Sequence, residues 1–178
     1  LALLLAVVRA VPLKMLPFDN KNEFQVLLET GEGTTLERTD AIARSLAAVL
    51  RRAPEVKDFE VTTGAASPID FNGLVRHYFL RSGANVADIR VNLVGKRERV
   101  MQSHEIVLRL RPELEAVAAR AGARIAVVEV PPGPPVLATV VAEVVGGPAV
   151  PYERLREAAG VVAERLRAEP LVADVDTT

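Results

Sequence analysis

The side chains of this sequence whose types and spacing could do chemistry are few: two histidines, one Ser-His pair, some carboxylate pairs and one glycine turn. His77 and His104 have no carboxylates at matching spacing, so they do not compose a zinc set. The chain has no cysteine, which excludes disulfides and thiolate metal sites. Ser103-His104 are adjacent at a helix start and point in different directions, which fits helix capping and not a hydrolase dyad. Glu113 and Glu115 fall on a polar helix face, where carboxylates are solvated. Gly31-Glu32-Gly33 follows a strand and precedes a helix, as a dinucleotide-binding turn does. The third glycine of that fingerprint is replaced by Leu36, which leaves a plain capped turn. No phosphate loop is present. The residues therefore predict no catalytic machinery, no cofactor and no metal, and the chain is not expected to be an enzyme.

The remaining candidate is a loop. Regular patterning is lost over residues 62–85, where Phe71, Tyr78 and Phe79 gather among Gly64, Pro68, Asn72, Gly73 and Gly83. Long loops in compact domains are uncommon and often functional. Phe71, Tyr78 and Phe79, with Arg76 and Arg81, can line an apolar pocket with a polar rim that takes a small molecule. The competing arrangement is a loop that tucks its aromatic rings under itself.

The elements that would position this loop are periodic. Phe24, Val26 and Leu28 alternate as a strand with one buried face. Gly31 and Gly33 make a turn, and Thr34-Thr35-Leu36-Glu37 fits a capping box on Thr34. Leu36, Ile42-Ala43, Leu46 and Val49-Leu50 then draw one apolar stripe along a helix that Pro54 stops. Residues 56–61 return as a strand with Phe59 and Val61 on one face. Ile89, Val91 and Leu93 alternate as the next strand, and Lys96-Arg97-Glu98-Arg99 reads as a solvated charged turn. Ser103 caps a helix to about Ala121, with Pro112 kinking it or opening a second short helix. Gly122 ends it, and residues 124–130 form a Val-rich strand. The β-α-β unit over residues 23–59 recurs: Glu37-Arg38 matches Glu153-Arg154 and Leu50-Arg51 matches Leu166-Arg167, a shift of 116. The second copy is expected as a strand over 136–145, a helix opened by Pro151, and a strand over 171–175. Two such units predict helices covering one face of a sheet.

Totals and boundaries agree with this layout. Basic and acidic residues nearly balance, 22 against 23, so nothing points to nucleic acid as a partner. Aromatics are 4% of the chain and Trp is absent, so Ala, Val and Leu must fill the core. Residues 1–8 are uninterrupted Ala, Val and Leu, too short alone for a membrane span of about 20 residues. They read as the last turns of a transmembrane helix that Pro12 and Pro17 end. Pro131-Pro132-Gly133-Pro134-Pro135 is a stiff linker and sets a boundary.

The run Met15-Leu16-Pro17-Phe18-Asp19-Asn20-Lys21, followed by Gly33-Thr34-Thr35-Leu36-Glu37-Arg38-Thr39, resembles the start of the second half of an RND-type (resistance–nodulation–cell division) efflux permease. Gly31 stands where that family has a proline. Val91-Asn92-Leu93-Val94 before a charged turn and Ser103 opening a helix also fit, so the resemblance spans essentially the whole chain. It implies an α+β fold of repeated β-α-β, ferredoxin-like porter subdomains, with helices packed on one face of a mixed sheet. Residues 1–16 would end a transmembrane helix, 17–135 form a first porter subdomain, and 136–178 begin a second, truncated one. It implies a proton-driven antiporter of the bacterial inner membrane exporting drugs, other small molecules or metal ions. This segment would be mostly periplasmic, in a homotrimer working with a periplasmic adaptor and an outer-membrane channel. The stretch from Gly64 resembles the family's glycine-bearing switch loop beside the substrate pocket. The chain departs from the family pattern after Gly64, so Phe71, Arg76 and Phe79 join Gly64 as substrate contacts on the loop's own chemistry. The competing class is a soluble ferredoxin-like ligand-binding or regulatory module.

Overall fold

A computed structural model describes residues 20–68, 73, 74, 78–130, 140–170, 172, 175 and 177. The chain divides into two compact units, Leu1–Pro135 and Val136–Thr178.

In the first unit the order is β1 (Glu23–Glu29), α1 (Leu36–Arg51), β2 (Val56–Ala65), a short 3-10 turn (Tyr78–Leu80), β3 (Ser82–Leu93), α2 (Ser103–Arg120) and β4 (Arg124–Glu129). The strands line up as β2-β3-β1-β4. This β-α-β-β-α-β order with β3 inserted between β1 and β2 is the ferredoxin-like split β-α-β. The fold is α+β, as the sequence predicts. All three ladders are antiparallel, in place of the mixed sheet expected, because β1 and β2 run parallel but touch only through β3.

Alternation decides which face is which. Phe24, Val26 and Leu28 of β1 and Ala87, Ile89 and Val91 of β3 point to the helices. There they meet Ile42, Leu46 and Leu50 of α1 and Ile106, Leu110 and Leu114 of α2 in one core. Leu28, Leu46, Leu50, Ile89 and Val91 are wholly buried. A fully buried aliphatic side chain contributes about 2 kcal/mol, so this layer holds the unit together.

The helix ends differ from the sequence expectation by one residue. Thr35, not Thr34, is the N-cap of α1, and its side chain accepts from the backbone N–H of Arg38 at 3.3 Å. Thr34 instead donates its hydroxyl to the Gly31 carbonyl at 2.7 Å, closing the turn. Gln102, not Ser103, is the N-cap of α2, and its backbone N–H donates to Glu105 Oε2 at 2.7 Å. Helix α2 runs unbroken through Pro112. That proline lies on the exposed face, where water can satisfy the carbonyl its ring frees. Gly122 at φ +69 ends the helix as expected.

The patternless stretch is shorter than residues 62–85, since β2 reaches Ala65 and β3 starts at Ser82. Arg99 is not a solvated turn residue. Its guanidinium donates to the carbonyls of Val94, Met101 and Lys21 at 3.2, 2.9 and 2.9 Å and so ties the β3–α2 turn to the entry of β1.

The second unit carries α3 (Tyr152–Arg167). A shift of 116 carries the bounds of α1, Leu36 and Arg51, onto those of α3, Tyr152 and Arg167. The repeat thus holds for the helix. Its flanking strands are not formed among the described residues: 140–149 contain none, and Val172 and Val175 are not extended in a sheet. A strand needs a neighbour for its backbone hydrogen bonds, whereas a helix satisfies its own. Residues 136–139 and most of 171–175, and the expected membrane helix end at 1–16, lie outside the described residues. Among the described residues no helix is long and apolar enough to cross a membrane.

Candidate functional site

The sheet face away from the helices carries the candidate site. On β1 this face presents Glu23, Gln25 and Leu27; on β3, Asp88 and Arg90 (alternation as above). Asp88 lies mid-sheet, opposite Leu27 on one side and Thr62 on the other. A carboxylate in that position must be shielded and paired, and it is only 1% exposed.

Its partners come from both ends of the connection between β2 and β3. The backbone N–H of Ser67, just past β2, donates to Asp88 Oδ2 at 2.9 Å. Arg81, one residue before β3, forms an ion pair with Asp88 Oδ1 and donates a second N–H to the Leu28 carbonyl at 2.8 Å. The two ends of the loop therefore meet on one carboxylate. Burial pushes the Asp88 carboxyl up from the ordinary aspartate range, opposed by the Ser67 N–H, the Arg81 charge and the Ser67 hydroxyl. Gln25 completes the arrangement. Its amide donates to Ser67 Oγ at 2.9 Å, while its own Oε1 is buried and has no hydrogen-bond partner among the described residues.

Around these groups is a small cleft lined by Gln25, Ser67, Gly73, Tyr78, Phe79 and Asp88, among others. It measures about 190 Å³ including its open mouth. Carboxylate, amide oxygen and hydroxyl converge with two aromatic rings, so the cleft offers hydrogen-bond acceptors against an apolar wall.

Of the four residues predicted to contact substrate, two lie among the described residues. Phe79 sits on the 3-10 turn, half-buried at the cleft. Gly64 lies in β2 at a register break between Thr63 and Ala65, at φ +85, a backbone state that suits glycine. A side chain there would also meet Leu36 Cδ1 at 2.8 Å. Gly64 thus bends the end of β2 into the loop, while Phe79 returns at the loop's far end. Phe71 and Arg76 lie outside the described residues. Asp88, Gln25 and Ser67 were not singled out from the sequence. The available signal was an acid set between Ala87 and Ile89 in the middle of an apolar run from Val86 to Val91 broken only by Asp88 and Arg90.

The residues weighed for other chemistry have structural partners. His104 Nδ1 lies 2.7 Å from Glu129 Oε2, joining the start of α2 to the end of β4. Glu113 pairs with Arg52, just past the end of α1, and Glu115 with the half-buried Arg111. Among the described residues, no group of three or more His, Cys, Asp or Glu side chains could hold a metal ion.

No family model matches the sequence, and no curated protein matches it. Solved structures do match its fold. One is described as the X-ray crystal structure of a heavy metal efflux pump, crystal form II. Its TM-score with this chain is 0.60 at 14% identity. The match covers 95% of this chain and 17% of the pump's, so this chain corresponds in fold to a small part of that protein.

Proposed function

We propose that this chain is a porter-domain segment of an RND-type efflux transporter, forming part of the path by which cargo leaves the cell. The observation that carries the reading is the split β-α-β unit, whose fold is found in part of a heavy metal efflux pump. The Leu-Pro-Phe-Asp and Gly-Thr-Thr runs point the same way. The whole transporter would be a proton-driven antiporter of the bacterial inner membrane, with this segment mostly in the periplasm. It would be a homotrimer coupled to a periplasmic adaptor and an outer-membrane channel, and its cargo would be small organic molecules or metal ions. Compact β-α-β layers that tilt against one another offer a physical means of opening and closing a path. In this reading the loop from Gly64 to Phe79, with Phe71 and Arg76, meets the cargo, and the chain performs no covalent chemistry.

The test is export by the full-length protein in cells stripped of their own efflux, across a panel of organic compounds and divalent metals. Phe71→Ala and Phe79→Ala are expected to change which compounds are exported while the protein still assembles. An unchanged panel for both variants would remove the loop from the cargo path. A full reading frame without membrane spans would favour a soluble ferredoxin-like ligand-binding module instead.

A further inference from the structure

Gln25 poses a problem that the efflux reading does not address. The residue is only 7% exposed, and its amide N–H already donates to Ser67 Oγ. The remaining oxygen, Oε1, is a buried acceptor with no donor among the described residues. Such an atom destabilises the folded chain unless something donates to it.

The surroundings specify what the donor must be. The cleft beside Gln25 is small, with space at its floor for a single water. Its polar lining consists of Gln25, Ser67, Tyr78 and Asp88, enough to give one water two to four partners. Gln25 and Asp88 lie on the same sheet face at diagonal positions, since Gln25 faces Arg90 and Leu27 faces Asp88. Long side chains at such positions are within reach of each other. The charge is also suited to a neutral occupant, because Arg81 already balances Asp88.

We propose that the cleft between β1, β3 and the returning loop is a binding site for one long-lived water molecule, which donates to Gln25 Oε1 and bridges it toward Asp88. The bound water extends the hydrogen-bonded chain that begins at the Leu28 carbonyl and passes through Arg81, Asp88 and Ser67 to Gln25. It thereby helps fix both ends of the β2–β3 connection against the sheet and sets the position of Tyr78 and Phe79. The proposal rests on contacts within this chain and holds whatever the chain transports.

Water–protein NOE spectra of the isotope-labelled full chain test it. A cross-peak of the sign given by a long-lived water is expected at the Gln25 side-chain amide protons. It should persist in Ser67→Ala, which removes the hydroxyl that could relay exchange from bulk solvent. In Gln25→Leu no such signal is expected at the neighbouring Ser67 and Tyr78 protons. Absence of the peak in the unaltered chain, or its loss in Ser67→Ala, would overturn the proposal. Titration with ammonium chloride against matched sodium chloride separates the other water-sized donor. A saturable shift of the Gln25 amide specific to ammonium would show a cation site and overturn the assignment to water. Both arms on the unaltered chain decide the matter even where a variant fails to fold.

Discussion

Replacing Arg81 by methionine removes one charge from a pair whose other member cannot reach solvent. Asp88 is 1% exposed and Arg81 20%, so the pair is largely dry. Breaking a buried pair from one side typically costs about 3–5 kcal/mol, because a buried charge is left uncompensated. Here the cost has a ceiling, since Asp88 can take up a proton instead. Protonating a carboxyl of ordinary pKa, 3.8, at pH 7 costs about 4 kcal/mol. Burial already raises Asp88, so the ceiling lies lower, and about 3 kcal/mol is the expected loss for R81M at pH 7. The sign of the pH dependence follows from linkage. The folded chain binds the Asp88 proton more tightly than the unfolded chain. The contribution of Asp88 is therefore most favourable below 3.8 and is lost as pH rises through its raised folded value. Removing Arg81 raises that value further, so the penalty of R81M should shrink to under about 1 kcal/mol near pH 4. Urea unfolding followed by NMR at the β3 amides reads the first unit alone. Equal penalties at pH 7 and pH 4, or a loss under about 1 kcal/mol at pH 7, would refute the reasoning.

Two further variants test other parts of the frame. Glu55→Gln weakens the 2.5 Å contact with Arg109 that joins α2 to the start of β2. The Arg109 hydrogen bond holds the Glu55 carboxyl below 4.5, so its stabilisation is present above that pH and is lost as pH falls through the folded value. A loss of about 0.5–1 kcal/mol at pH 7 that vanishes in acid is expected from urea midpoints. Gly64→Ala forces a side chain into φ +85 and should cost about 1–2 kcal/mol, read from the same unfolding curves. Leu36, the residue its Cβ would meet, is 43% exposed and can turn aside, so the contact adds little to that figure.

How much of this was legible in the sequence depended on where each element finds its hydrogen bonds. Helices α1 and α3 were readable as a repeat because capping, stripe and stop are local, and both span 16 residues in register. Among the described residues the strands expected around α3 are not formed, although Val140, Val141 and Val145 have strand-forming side chains. Residue type cannot supply the neighbouring strand that such a segment needs. The ends of β2 and β3 were hidden for a related reason. Thr62, Thr63 and Asn85 look like loop residues but pair within or beside the sheet, Thr63 also reaching Asp40 Oδ1 at 3.3 Å and Asn85 the Thr30 carbonyl at 3.4 Å. Asp88 was missed because alternation in β3 reports the helix-facing side, and the partners that bury its other side lie 7 and 21 residues away.

The sheet thus has two faces with different tasks. The centre of the helix-facing side is apolar and gains its stability from area removed from water, with polar contacts to the helices only at its margins (Thr63–Asp40 and Glu129–His104). The other side places an ion pair, an amide and a hydroxyl in its middle, which is a poor way to gain stability. A well-packed apolar pair in the positions of Arg81 and Asp88 would do as well or better. What the polar set supplies is direction. The Arg81–Asp88 contact, the Ser67 N–H and the Arg81 bond to Leu28 satisfy one another in only one placement of the loop ends. A greasy contact would tolerate several. The double variant R81M/D88L should therefore unfold no more easily than the unaltered chain, while the Tyr78 and Phe79 signals broaden or multiply in NMR spectra. Sharp single signals for both rings in that variant would show that packing alone positions the loop.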